Sequence, residues 1–108
     1  MNKQVKAYKN ALELIGQTPL VKLNKIVSNI PGNFYAKIEA FNPGHSNKDR
    51  IALHILESAE KKGLLKPGAT IIETTSGNTG FSLAMVSIIK GYNCILAVSS
   101  KSSPDKID

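Results

Sequence analysis

One cysteine, one arginine and few aromatic residues set the first limits on what this 108-residue chain can be. Cys94 stands alone, so no internal disulfide can form. It lies in the apolar run Cys94-Ile95-Leu96-Ala97-Val98, where a thiol reads as a small buried hydrophobe. A catalytic thiol would need a neighbouring base and an electropositive opening, and the local sequence offers neither. An unpaired cysteine suits a reducing compartment, which makes the cytoplasm the expected location. The formal charge is +6, from 14 Lys+Arg against 8 Asp+Glu, yet Arg50 is the only arginine and the lysines are scattered. Nucleic-acid surfaces cluster their basic side chains and lean on bidentate arginine. With aromatics at 6%, stacking platforms are scarce as well, so no nucleic-acid partner is expected. The longest strongly apolar stretch, residues 81–89, is far short of the ~20 residues that cross a bilayer. Lys3, Lys6 and Lys9 are not followed by an apolar core and a small-residue cleavage site, which argues against a signal peptide and a membrane partner.

What remains is the balance of an ordinary soluble globular protein, with 42% hydrophobic and 20% charged residues. The length allows one domain at most and a usable but thin core. Residues 1–15 are helix-friendly up to Gly16. Gly16-Gln17-Thr18-Pro19 then turns the chain into an extended piece over 20–23, with Pro19 pushing Thr18 towards extended geometry. After the Pro31-Gly32-Asn33 turn, residues 34–41 alternate in strand fashion. Asn42-Pro43-Gly44 closes that strand, and Ser46 or Asn47 is placed to cap a helix over 48–62, whose apolar positions recur at helical spacing. Gly63 ends that helix. A β-branched strand over 70–73, a polar glycine-punctuated loop over 74–80, a helix over 79–90 ending at Gly91, and a strand over 94–99 follow. This order, strand–helix–strand–helix–strand with short loops, predicts an α/β fold with a parallel sheet flanked by helices. Ser103-Pro104 has the form of a helix cap and first-turn pair with only four residues after it, which reads as a sign of truncation.

Two strand-to-helix loops hold the residue types that do chemistry. In Asn42-Pro43-Gly44-His45-Ser46-Asn47-Lys48-Asp49-Arg50, Lys48 opens a helix, where the positive end of the dipole favours the neutral amine that attacks an aldehyde. In Thr75-Ser76-Gly77-Asn78-Thr79-Gly80, hydroxyls, an asparagine and successive backbone N–H groups form a concavity suited to a carboxylate or a phosphate. It is not a Walker loop and it lacks Gly-x-Gly-x-x-Gly. The two loops follow adjacent β units, so both are expected at the carboxyl ends of parallel strands, where α/β proteins bind ligands. On the bare residues, a solvated lysine beside Asp49 and Arg50, and a loop that binds nothing, stay open.

The resemblance beyond these loops is specific. Ile15-Gly16-Gln17-Thr18-Pro19-Leu20-Val21-Lys22-Leu23 resembles the opening signature of the cysteine synthase / cystathionine β-synthase family of fold-type II pyridoxal-phosphate enzymes. The stretch Lys37-Ile38-Glu39-Ala40-Phe41-Asn42-Pro43-Gly44, continuing through Ser46, Lys48, Asp49 and Arg50, resembles the family's Schiff-base segment. Thr75-Ser76-Gly77-Asn78-Thr79-Gly80 resembles its substrate-carboxylate loop. Three motifs thus fall in order from about residue 10 onwards. The resemblance implies pyridoxal 5'-phosphate as cofactor, Lys48 as its Schiff-base and proton-shuttling lysine, and Asn78 as partner of the ring hydroxyl. Thr75, Ser76, Gly77 and Thr79 would hold the substrate carboxylate. The implied reaction is β-replacement on an O-activated serine such as O-acetylserine, with sulfide or another thiol adding, in cysteine biosynthesis. Cystathionine β-synthase, or a related enzyme using serine or phosphoserine, is the alternative. The resemblance also implies a homodimer.

Gly44-His45-Ser46-Asn47 departs from the family's small or apolar pattern at His45 and Asn47, which leaves the subfamily open. His54 reads as a helix-face residue, and His45 as a loop residue within reach of substrate. In the family, the glycine-rich phosphate loop and the partner of the ring nitrogen belong to a large second domain, and neither is found here. Residues 1–35 are expected to pack on that large domain, and residues 36–108 to form an incomplete small α/β domain. The chain alone is therefore expected to be inactive and to bind the cofactor poorly. A non-catalytic module that binds amino acids or a partner through the 75–80 loop is the reading of another class.

Overall fold

The computed structural model describes residues 4–75 and 77–98. The expected elements are present, but they pair differently from the expectation. β1 (Leu20–Leu23) and β2 (Phe34–Lys37) form an antiparallel hairpin, with Leu20 opposite Lys37 and Leu23 opposite Phe34. The parallel sheet consists of β3 (Thr70–Thr74) and β4 (Asn93–Ala97), in register from Thr70 against Asn93 to Thr74 against Ala97. The first strand of the expected series therefore leaves the parallel sheet. Element order does not specify strand partners. Here the connection over residues 24–33, a 3-10 turn at Lys25–Val27 followed by Pro31-Gly32-Asn33, returns the chain alongside β1, so β2 pairs with its neighbour in sequence.

β2 is also shorter than the 34–41 alternation suggests. Its partner runs out at Pro19, which has no N–H to donate. The last cross-strand bond runs from Ile38 N to Pro19 O at 3.0 Å, after which the chain turns through a single 3-10 turn, Glu39–Phe41. Among the described residues of the helix-friendly segment 1–15, the one helical element is a 3-10 turn at Ala11–Leu14, capped by the Asn10 side chain on Leu12 N. Val5 is 96% exposed, and Leu12 and Ile15 are only partly buried against the core; with so little packing, helix propensity sustains little helix.

The two helices agree with the sequence to within a residue: α1 is Lys48–Lys61 and α2 is Asn78–Lys90. α2 ends in a Schellman arrangement. Gly91 takes φ +83, its N–H reaches Ile88 O at 3.1 Å, and Tyr92 N reaches Ser87 O at 2.8 Å. The same pair of bonds closes α1, from Gly63 N to Glu60 O and from Leu64 N to Ala59 O. α1 and α2 pack side by side around Ala52, Leu56, Leu83, Val86 and Tyr92, the buried apolar residues of the core. Their axes run in the same direction, because polar contacts pin matching ends. Near the starts, Ser82 Oγ donates to Asp49 Oδ1 at 2.6 Å. At the far ends, Lys90 Nζ and Tyr92 OH donate to the two oxygens of Glu60 at 2.7 and 2.6 Å. The Lys90 and Tyr92 bonds hold the Glu60 carboxyl below its ordinary value, and the bond to Glu60 raises the Tyr92 phenol.

α2 covers one face of the parallel sheet, with Ile71 partly buried against the core; Ile72 and Ile95, paired across the strands, are 70% and 56% exposed on the other. Cys94 carries a free thiol and is only half-buried, less than the buried position its apolar run suggests. No helix among the described residues is long and apolar enough to cross a membrane. The Ser103-Pro104 pair lies outside the described residues.

One buried polar atom lacks a partner. Ser87 is fully buried on α2, and its hydroxyl makes no hydrogen bond among the described residues. An unsatisfied buried hydroxyl costs ~1–3 kcal/mol, and alanine is the better helix former. Ser87→Ala is therefore expected to raise stability by about 1 kcal/mol, read as a rise of several degrees in the thermal midpoint.

Candidate active site

The lysine loop begins where β2 gives out, so it follows a 3-10 turn instead of a parallel strand. Its path is fixed by a polar clamp that the sequence pattern did not reveal. Glu39 receives Arg50 Nε at 2.5 Å, Arg50 Nη2 at 3.1 Å and Thr18 Oγ1 at 2.7 Å. Arg50 Nη2 also reaches Gly16 O at 3.2 Å, and Lys37 Nζ donates to Thr18 O at 2.7 Å. Asn42, fully buried, accepts from Gly16 N at 2.8 Å and donates to Glu39 O and to Ser46 O, each at 3.0 Å. The Gly16–Thr18 turn is thus bound to both ends of the lysine loop. Glu39 falls in the polar phase of the 34–41 alternation, so nothing in the sequence period marks this clamp.

Paired first with Arg50 and then with Thr18, the Glu39 carboxyl is held down at about 2 against an ordinary 4.5. A carboxyl held low in the folded chain adds stability that is fully present above pH ~4.5 and fades as pH falls towards 2. Glu39→Gln is therefore expected to lower the thermal midpoint at pH 6, and the gap to wild type should close progressively between pH 4.5 and 2.5. A gap independent of pH would place the loss in packing instead of charge.

Lys48 is the first residue of α1 and half-buried. Its backbone N–H goes to Ser46 Oγ at 3.2 Å, so Ser46 supplies the capping hydroxyl although Asn47 holds the cap position. Among the described residues no hydrogen bond or ion pair engages Lys48 Nζ. Its neighbour Asp49, to which the sequence pattern assigned no role, is fully buried. One carboxylate oxygen accepts from Gly44 N at 2.6 Å, and the other accepts from Ser82 Oγ, itself fully buried, at 2.6 Å. Gly44 is obligatory on steric grounds, because a Cβ there would collide with the Asp49 carboxyl. His45 is exposed and holds a left-handed φ of +67, with its N–H on Asn42 O at 2.8 Å. His54 lies exposed on α1, as expected of a helix-face residue.

The second loop follows β3 and opens α2. Thr75 N continues the ladder to Ala97 O at 3.1 Å, and Thr75 Oγ1 receives Gly80 N at 3.1 Å. Gly77 precedes the helix with open space where a Cβ would stand, and Asn78 and Thr79 are its first two residues, Asn78 exposed. Ser76 lies outside the described residues. The Asp49–Ser82 bond brings the starts of α1 and α2 together, and with them Lys48 and the 75–80 loop. No group of three or more metal-ligating side chains occurs among the described residues.

The family described as "Pyridoxal-phosphate dependent enzyme" matches residues 11–108. Cystathionine beta-synthase of Apis mellifera is 56% identical over 98 residues, covering 89% of this chain and 19% of the relative. Cysteine synthase of a Flavobacterium species is 50% identical over 99 residues, covering 92% of this chain and 32% of the relative. The crystal structure of a hydrogen sulfide-producing enzyme from Fusobacterium nucleatum superposes with a TM-score of 0.86 at 43% identity, covering 95% of this chain and 34% of that one. The chain thus spans about a fifth to a third of the length of these relatives. Its fold is the fold-type II α/β arrangement, and the chain belongs to the family of pyridoxal-phosphate-dependent enzymes.

Proposed function

We propose that this chain supplies the lysine-bearing part of a pyridoxal-phosphate-dependent β-replacement site acting on an O-activated serine. The observation that carries the proposal is the half-buried Lys48 amine, which no described residue engages, at the head of a helix tied directly to the helix after the 75–80 loop. That donor set fits the carbonyl end of the cofactor. An unengaged amine can bond its aldehyde carbon, and Asn78, exposed at the start of α2, can donate to its ring hydroxyl. The bound cofactor supplies an electron sink for charge developing at the substrate Cα. Lys48 Nζ takes the Cα proton and later returns it. Thr75, Ser76, Gly77 and Thr79 bind the substrate carboxylate at the positive end of α2, where backbone N–H groups are free to donate.

Relatives named cystathionine beta-synthase and cysteine synthase support β-replacement as the reaction class. We take O-acetylserine as donor and sulfide as nucleophile, with serine as the alternative donor, two copies pairing as a homodimer, and the cytoplasm as location. Residues 1–35 pack on a large domain and residues 36–108 form the small one. The exposure of Ile26 at 82% and Leu20 at 63% supports a covering partner for the first segment, although β1 also pairs with β2. The phosphate end of the cofactor then has its partners outside this chain, and the 108 residues alone are inactive.

The test is borohydride reduction of the full-length protein loaded with pyridoxal phosphate, followed by peptide mapping. Label confined to Lys48 is the expected result. Label spread over many lysines overturns the assignment, and rapid turnover by the 108-residue chain overturns its dependence on a large domain.

A further inference from the structure

The most deeply buried charged side chain among the described residues takes no part in the scheme above. Asp49 is fully buried, adjacent to Lys48, and each of its oxygens has one strong partner: Gly44 N at 2.6 Å and Ser82 Oγ at 2.6 Å. Gly44 lies before the lysine in the loop, and Ser82 lies one turn into α2, just past the 75–80 loop. One carboxylate thus holds both the strand-side arm of the lysine loop and the helix that carries the other loop. The fit is tight enough that no Cβ is tolerated at Gly44. Fixing an ionised group in a buried place is costly unless its hydrogen bonds are complete. A hydrophobic residue would fill the same space at lower cost, so this arrangement is better explained by positioning than by stability.

We propose that Asp49 is a positioning residue that sets Lys48 against the 75–80 loop by bridging Gly44 and Ser82. The inference rests on the reading of Lys48 as the carbonyl-bearing lysine. It makes a distinctive prediction about isosteres, because the bridge works by geometry. An asparagine can keep its oxygen on Gly44 N–H and turn its NH2 towards Ser82, whose hydroxyl rotates to accept. Asp49→Asn should therefore restore the alignment that Asp49→Ala loses. Ser82→Ala cuts only the tether to α2 and leaves the Gly44 bond.

The experiment measures how selectively pyridoxal phosphate, trapped by borohydride, labels Lys48 over the other lysines of the full-length protein. Each variant is measured well below its own melting midpoint. Displacements of about 1 Å in a reacting group can cost as much as ~100-fold, so Asp49→Ala is expected to lower the selectivity at least ~10-fold. Asp49→Asn should return to within about threefold of wild type, with Ser82→Ala falling between them. Leu56→Ala, which opens the same helix pair away from the loops, should lower the melting midpoint without changing selectivity. Hydrogen exchange at the Gly44 amide gives a second readout, faster in Asp49→Ala and protected in Asp49→Asn.

Wild-type protein that is not labelled at Lys48 would remove the reading of Lys48 and leave the bridge itself untouched. With Lys48 labelled in wild type, three results overturn the inference. One is unchanged selectivity in Asp49→Ala. Another is a loss in Leu56→Ala as large as in Asp49→Ala. The third is an Asp49→Asn variant as poor as Asp49→Ala, which would assign the effect to charge. Should Asp49→Ala not fold, Ser82→Ala with wild-type selectivity overturns the inference by itself.

Discussion

Lys48→Ala is expected to lower turnover of the full-length protein by about 10²–10⁴-fold, the range of a lost general acid–base, while leaving the fold as stable or slightly more so. The two halves of that expectation come from the same position. As the first residue of α1, Lys48 puts a positive charge at the positive end of a helix dipole, which is locally unfavourable. Alanine removes that repulsion and has the highest helix propensity, and no described partner of Lys48 Nζ is lost. Surface substitutions without buried partners stay within ~0.5 kcal/mol, so a calorimetric midpoint equal to or above wild type should accompany the loss of turnover. Full turnover by Lys48→Ala would show that another group moves the Cα proton. A large fall in the midpoint would show that Lys48 has a structural partner beyond the described residues.

Local features of the sequence were readable because the physics behind them is local. The two helices end at Gly63 and Gly91, as glycine's ease in taking a positive φ predicts, and both do so with Schellman bonds. β3, the loop after it, α2 and β4 formed within a residue or two of the pattern, since a βαβ unit buries a β-branched strand and an amphipathic helix against each other. What failed was pairing over distance. β2 paired with β1 instead of with β3, and the helix-friendly composition of residues 1–15 met the core only at Leu12 and Ile15, too little packing to sustain a helix. At the site, the motif residues Lys48, Thr75, Asn78 and Thr79 were readable, and the residues that hold them were not. Asp49 reads as an ordinary acid in a first helical turn, because its partner Ser82 is 33 residues away. Glu39 draws its clamp from Thr18, 21 residues earlier, and Arg50, 11 residues later. Such contacts leave no period in the sequence; Glu39 even keeps the polar phase of the 34–41 alternation.

Gly44→Ala should have the largest effect on stability, because it strikes the Asp49 bridge from the other side. The added methyl would occupy space now held by the fully buried Asp49 carboxyl. That carboxyl is held at both oxygens, by Gly44 N and Ser82 Oγ, so a rotamer change that relieves the clash breaks those bonds. Overpacking a tight interior costs ~1–3 kcal/mol. If the carboxylate retreats, Gly44 N–H or Ser82 Oγ loses its acceptor, and each buried group so stranded costs another ~1–3 kcal/mol. The combined loss is expected at about 2–5 kcal/mol, which at ~4–8 °C per kcal/mol lowers the melting midpoint by at least about 10 °C. The pair Gly44→Ala with Asp49→Ser distinguishes the two causes. The shorter serine leaves room for the methyl, so the double variant should be less destabilised than the sum of its parts, with a coupling of ~1 kcal/mol or more in a double-mutant cycle. Strict additivity would mean that the methyl is accommodated by movement of the loop backbone. The tight contact between Gly44 and Asp49 would then not be what fixes the path into Lys48.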